Sequence, residues 1–529
     1  MDTPALSRRD LLKVSLLGAA AVALPRHRDP APGSGSRLAA SSLPPPYTVP
    51  FAAPPVLRPT VSDATTDYYR ITQTPFVGEV LPGVPTPLWG YNGMVPGPTI
   101  TARQGRRTVV RQVNQLPATH PTLGYVPWTS THLHGMPARP QFDGYASDVS
   151  QPGEWKDYEY PNSGAARTLW YHDHGVHHTA ENVYMGLAAQ YQLSDPQEES
   201  LPIPRGRYDL PLILSDVSFA ADGSLLWDDH GHSGVFGDVV LVNGRPWPTL
   251  PVEQRRYRFR VLNASVSRAY TLELSTGQPM QVIATDGGLM AAPQSVVRLR
   301  VGMAERYEVV VDFTSLSAGA TVQLRNSGVP GIPGGAGTDQ VMQFEVTGPA
   351  TSTEGNEVPA VLGSPAAMAV DPAAARVTRT LRLDRTRGLW TINGETWDDV
   401  VASGFTRVFA DPAVGDVEIW EVENRSRGWS HPLHTHLVDF QVLSRNGAPP
   451  TAQELGPKDT VYVGQGEVVR LLVQFGPEHG RYMIHCHNVA HEDHDMMIQY
   501  QVGQQDAECD PIHAAPPRSG PETPLGGPG

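Results

Sequence analysis

Apolar and β-branched residues fall in short runs separated by turn formers, the pattern of strands and not of long amphipathic helices. From about Pro59 to Leu193 such segments recur, with Thr108 to Val113 and Leu187 to Leu193 as clear cases. A second set occupies about Tyr208 to Val346, where Tyr257 to Leu262 and Tyr307 to Phe313 are the most regular. A stretch rich in Pro, Ala, Ser and Thr then predicts a linker over 348–375, and a third strand-rich unit follows it. The predicted organisation is a leader over 1–49, domains over 50–196, 205–347 and 376–503, and a disordered tail over 504–529.

Length agrees with three units, because 529 residues exceed what one hydrophobic core organises. Glycine and proline at 51 each favour many strands joined by turns, so the body reads as all-β. A formal charge of -14, with no dense Lys/Arg cluster, excludes nucleic acid as a partner. At the N-terminus, Ser7-Arg8-Arg9-Asp10-Leu11-Leu12-Lys13 precedes an apolar stretch from Val14 to Leu24, the form of a twin-arginine export signal. That stretch falls short of the roughly 20 residues that span a bilayer. The expectation is a protein exported folded, then secreted, periplasmic or held at the cell surface, with no membrane anchor after processing. Two cysteines, Cys486 and Cys509, are too few for a disulfide scaffold.

The 19 histidines are the informative residues. Chance placement gives about 0.7 His-x-His pairs, and five are present. Side chains two apart on a strand share a face, so each pair can aim both imidazoles at one place. His132-Leu133-His134 followed by His172-Asp173-His174 in the first unit is echoed by His434-Thr435-His436 followed by His485-Cys486-His487 in the third. This repeat points to a duplicated sandwich, with eight imidazoles from the two outer units meeting at one metal site of a kind that suits copper.

Cys486 lies between two of those histidines, so its sulfur points to the opposite strand face and serves a different metal. By the same parity His431 lies on the far side from His434 and His436, and His491 and Met496 follow downstream. Two imidazoles, a thiolate and a weak thioether are the donor set of a blue electron-transfer copper.

The stretches HLHG at His132, HDH at His172, HPLHTH at His431 and HCHNVAHEDHDMM at His485 make the chain similar to the three-domain multicopper oxidases over about Pro50 to Val502. Within that family HLVDFQVLSR, GPKDTVYVG and the FDG at Phe142 resemble the bilirubin oxidases and the bacterial spore-coat laccases. The resemblance implies three cupredoxin-like Greek-key domains and four copper ions. It implies that His132 and His434 hold a type 2 copper. His134, His172 and His487 would hold one copper of a type 3 pair, and His174, His436 and His485 the other. His431, Cys486, His491 and Met496 would hold the type 1 copper, with Met496 preferred over Met497 because it stands at the family's axial position.

The activity so implied is one-electron oxidation of phenolic, aminophenolic or tetrapyrrole reductants coupled to reduction of dioxygen to water, in a monomer. Electrons would arrive at the edge of His491 and pass through Cys486. Asp143 and Glu492 match acidic residues that similar oxidases place near the oxygen-reducing cluster, where they would relay protons; an acid in a turn such as Phe142-Asp143-Gly144 is otherwise a turn former. Trp429 reads equally as a cover for the type 1 site, a substrate contact or simple core.

Other residues take plainer readings. His230 and His232 sit in a polar glycine-flanked loop expected at the surface. His177, His178 and His494 flank the motifs and are expected to hydrogen-bond ligands. Cys509 is expected as a free thiol without a partner. Two alternatives stand beside the oxidase: a cuprous oxidase of copper detoxification, which the scattered methionines disfavour, and a copper-binding surface protein without turnover. A copper nitrite reductase would not need four His-x-His pairs.

Overall fold

Three pairs of β-sheets succeed one another along the chain, six- and four-stranded in the first domain, seven- and five-stranded in the second, five- and four-stranded in the third. The computed structural model describes residues 36–335, 337–363 and 365–526. The export signal expected at Ser7 to Leu24 lies outside these residues.

The all-β expectation holds, and each run named from the sequence is a strand: Arg107–Asn114, Ala188–Ser194, Arg256–Asn263 and Arg306–Asp312. The cause is visible in Val417–Asn424, where alternate positions are buried and carry Trp420 and Val422 into the third core. A period of two on a pleated strand gives one face to the core and the other to solvent. One strand pair is parallel in the same place in each domain: Thr66–Leu81 with Arg107–Asn114, Asp209–Val217 with Arg256–Asn263, and Val377–Thr386 with Val417–Asn424. The larger sheet of each domain is therefore built around the same parallel pair.

The smaller sheets of the first and third domains carry the histidines. In the first, Thr131–His134 pairs with Arg167–Asp173 so that His132 stands opposite His172. In the third, His431–Thr435 pairs with Gly480–Cys486 so that His434 stands opposite His485. The duplication seen in the sequence is thus a duplication of register.

Both ends of the chain depart from expectation. Residues 36–49, read as disordered leader, lie along the second domain, where Leu38 N donates to Phe219 O at 2.9 Å and Thr249 N to Val49 O at 2.9 Å. The tail is not disordered over 504–526. Arg518–Ser519 adds to the first domain's larger sheet beside Glu154 and Trp155, and Glu522 takes two hydrogen bonds from Arg70 at 2.6 and 2.8 Å. Proline and glycine keep this segment from making a core of its own, but an extended chain can complete a sheet edge laid down by others. The linker is likewise held down: Leu362 is buried beside Ile203, Ile283 and Val310. Among the described residues no helix is long and apolar enough to cross a membrane.

Candidate metal centres

The eight histidines of the outer domains meet at the seam between them, all buried. Donor atoms of His132, His134 and His434 lie within 4.8 Å of one another, as do those of His134, His172 and His487, and those of His174, His436 and His485. Two rings cross the seam face to face: His134 on His434 with centroids 3.6 Å apart, and His132 on His436 at 3.9 Å. A fourth group under the same limit, His431, Cys486 and His491, lies on the other face of the strand Gly480–Cys486. There Cys486 Sγ stands 3.3 Å from His431 Nδ1 and 3.7 Å from His491 Nδ1. Strand alternation alone separates the sulfur from its two histidine neighbours.

Met496 and Met497 part company in the same way. Met496 packs in the core cluster that contains Cys486 and Leu433, whereas Met497 packs with Met483 and Tyr145 in another. Cys486 N donates to Met496 O at 3.1 Å, which keeps the methionine beside the thiol.

Hydrogen bonds behind the rings fix which nitrogen is presented. His132 Nδ1 donates to Asp143 O at 2.5 Å, His172 Nδ1 to Asp173 O at 2.7 Å and His434 Nδ1 to Asp459 O at 2.9 Å. A carbonyl only accepts, so each ring is protonated behind and bare in front. His431 is held likewise, by Ser426 Oγ 2.6 Å from its Nε2. On the inner side, His132 Nε2, His134 Nδ1, His172 Nε2, His434 Nε2 and both nitrogens of His487 find no hydrogen-bond partner among the described residues. Each such buried polar atom costs about 1–3 kcal/mol. So many at one seam fit a site built for metal, which those lone pairs would ligate.

Electrostatics prepare the rings for that use. Burial lowers His172 to about 3, with neighbouring His174 adding to the effect, and it lowers His174 to about 4 and His431 to about 3. All are neutral near pH 7, the state a metal requires. Burial raises the Cys486 thiol well above its usual range, so a bound cation has to draw off its proton.

Asp143 and Glu492 both reach the seam. Asp143 Oδ2 accepts from His436 Nδ1 at 2.7 Å, and Glu492 Oε2 lies 2.9 Å from His485 Nδ1 with Oε1 3.5 Å from His174 Nδ1. Their environments pull them apart. Burial holds the Asp143 carboxyl well above its ordinary range. At Glu492 burial acts upward too, but His485 and His174 outweigh it and hold the group at about 2. A pair of carboxylates so separated can divide the roles of proton donor and acceptor.

Sequence reasoning missed the support from the second domain. Asp459 takes hydrogen bonds from Arg306 at 2.7 and 2.5 Å, stands 3.0 Å from His134 Nε2 and gives its carbonyl to His434. Asp459 does lie in GPKDTVYVG, a stretch noted only for its resemblance. Trp390 was also missed: its ring stacks on His491 at 3.8 Å, beside Trp429, which stands edge-on to it at 5.6 Å.

Other expectations are corrected here. The loop 228–234 is not an idle surface loop, since Ser233 O accepts from His491 Nε2 at 3.2 Å and Trp390 Nε1 donates to His232 O at 2.8 Å. Those two bonds tie it to the third domain, although His230 remains half-exposed. His177 faces Asp493 O at 3.4 Å and His178 stacks on Tyr125 at 4.0 Å. His494 pairs with Asp229 at 3.4 Å. Cys509 is a buried thiol with a partner, its Sγ 3.2 Å from His479 Nε2.

Sequence models of the multicopper oxidase family match residues 77–198, 214–320 and 370–506. The chain is 42% identical to a bilirubin oxidase of Albifimbria verrucaria over 87% of its own length and 81% of that protein's. The chain belongs to the multicopper oxidase family. This multicopper oxidase is also 34% identical to a laccase of Bacillus subtilis, over 84% of its own length and 96% of the laccase. Its fold superposes on a laccase of Pediococcus acidilactici with a TM-score of 0.77 at 28% identity, covering 88% of this chain and 95% of the other. A multicopper oxidase of Aquifex aeolicus gives 0.75 at 31% identity, covering 86% and 100%. The oxidase is thus built of three cupredoxin-like domains and binds copper, and it is an oxidoreductase that uses oxygen.

Proposed function

We propose that the oxidase holds four copper ions and oxidises phenolic, aminophenolic or tetrapyrrole donors one electron at a time while reducing dioxygen to water. The observation that carries this reading is the strand His485-Cys486-His487, whose three successive side chains reach two separate groups of donors, His431 and His491 on one face and the interdomain histidines on the other. His132 and His434 would hold one ion, His134, His172 and His487 a second, His174, His436 and His485 a third, and His431, Cys486, His491 and Met496 the fourth. Bound copper supplies one-electron exchange at the thiolate site and oxygen reduction at the shared cluster.

The protein's own part is to position and to protect. Trp390 and the loop carrying Ser233 cover the buried His491, and a donor ring would approach over them. Asp143 Oδ2 and Glu492 Oε2 stand beside the cluster, against His436 and His485, where the two carboxyl groups would pass protons inward. The names of two relatives, bilirubin oxidase and laccase, support the donor classes. Export by the twin-arginine route to the cell exterior or periplasm rests on Ser7 to Leu24, and a monomeric state, taken from the family resemblance, completes the proposal.

Oxygen uptake by copper-loaded protein should be followed with bilirubin, a dimethoxyphenol, an aminophenol and Cu(I) in parallel. Uptake with the organic donors, abolished in Cys486→Ser, is the expected result. Uptake with Cu(I) alone would replace this reading by the cuprous oxidase, and uptake with none of the four would leave a copper carrier.

A further inference from the structure

Away from the eleven histidine and cysteine donors above, a further group of metal-ligating side chains converges between the second and third domains. Asp229 and His232 belong to the second-domain loop, and His494 follows the short helix Val489–Asp493 of the third. His232 Nδ1 stands 2.9 Å from Asp229 Oδ2, and His494 Nε2 stands 3.4 Å from the same oxygen. The two imidazole rings approach to 3.3 Å between centroids at an interplanar angle of 48°. Both rings thus turn a nitrogen toward one carboxylate oxygen, the convergence of donors that a shared ion would use.

The local chain is built to hold that arrangement. Asp229 Oδ1 accepts from Gly231 N at 3.1 Å, and Asp229 O accepts from Ser233 N and Gly234 N, each at 2.9 Å, so the turn itself leaves Oδ2 for the rings. His232 sits at a φ of 66°, a left-handed conformation uncommon for residues other than glycine. Burial acts to raise the Asp229 carboxyl, but His232 and His494 outweigh it and keep the group ionised. With 24–30% of each side chain exposed, the group is open to ions from solvent.

We infer that Asp229, His232 and His494 form a binding site for one divalent transition-metal ion of the zinc class, separate from the copper centres. Two imidazole nitrogens and one carboxylate oxygen are three of the four positions of a tetrahedral zinc site, and water from the open side supplies the last. Such an ion would fasten the loop of the second domain to the helix of the third. Because Ser233 of that loop caps His491, the ion would stiffen the rim over which a donor approaches.

The test uses the copper-loaded full chain, dialysed against zinc and then against metal-free buffer, with zinc and copper counted by mass spectrometry and thermal unfolding recorded with and without zinc. The expected result is one zinc per chain and a higher Tm in zinc for the parent protein. That equivalent and that rise should be lost in His232→Gln and in Asp229→Asn, with copper content unchanged. His232→Gln alters only an accessible loop side chain, so it reports even where the aspartate variant folds poorly. Zinc retained equally by parent and variants, or absent from the parent, overturns the inference and leaves a histidine–aspartate clasp without a metal.

Discussion

The guanidinium of Arg306, from the second domain, grips the carboxylate of Asp459, from the third, through two hydrogen bonds of 2.7 and 2.5 Å in the fully buried seam. Asp459 in turn orients His134 and His434, one imidazole from each outer domain. Replacing Arg306 by Met leaves a buried carboxylate without its partner, a change that costs about 3–5 kcal/mol. Denaturant unfolding should register that loss, together with copper content below that of the parent. Arg306→Lys keeps the charge but not the fork and should fall between.

Glu492 sets an ionised carboxylate oxygen 2.9 Å from His485 Nδ1, placed to accept a proton and pass it on. Glu492→Gln preserves shape and a hydrogen-bond acceptor but cannot exchange a proton. Copper content and blue colour should be retained while oxygen turnover falls by about 10²–10⁴-fold, the usual worth of a placed acid or base. Turnover equal to the parent's would dispose of the relay.

Gly144 follows Asp143 at a φ of 75°, and a Cβ there would come within 2.6 Å of the Cα and N of His132. Only glycine lets the Asp143 turn lie flat on the histidine strand. Gly144→Ala should push both the His132 and the Asp143 hydrogen bonds out of register, which metal analysis would read as reduced copper retention. Full occupancy with unchanged turnover would mean that the turn can shift without cost.

Stability should depend on pH through Glu198, which closes the first domain onto the second by pairing with Arg258 at 2.5 Å. Burial opposes its ionisation, but Arg258 and Arg260 prevail and lower it from 4.5 to about 2. A depressed carboxylate contributes stability above its unfolded pKa and loses it as pH falls toward the folded one. The window is therefore about pH 4.5 down to 2, and the shift corresponds to something on the order of 3 kcal/mol. Unfolding curves of Glu198→Gln should be flatter than the parent's across that window, and parallel curves would refute the assignment.

Much of the site could be read from the chain because strand parity turns spacing into direction. His132, His134, His434 and His436 needed only the two-residue repeat, and Cys486 only its place between two histidines. What escaped was support brought from far along the chain. Arg306 and Asp459 are separated by 153 positions, and nothing periodic links them. Trp390 reaches His491 from a strand whose pattern speaks only of core, and its bond to His232 O comes from another domain. The 504–526 tail misled for a related reason: composition describes what a segment can build alone, while Arg518 and Ser519 complete a sheet made by others.

That last strand changes how the outer domains can part. The polypeptide leaves the third domain and returns to the edge of the first, so the two bodies that share the histidines are strapped together as well as apposed. Any transient opening must either peel the strap or stay tethered by it, and a tethered opening recloses at the high effective concentration of an intramolecular encounter. The strap thereby favours recapture of a loosened metal over its escape to solvent.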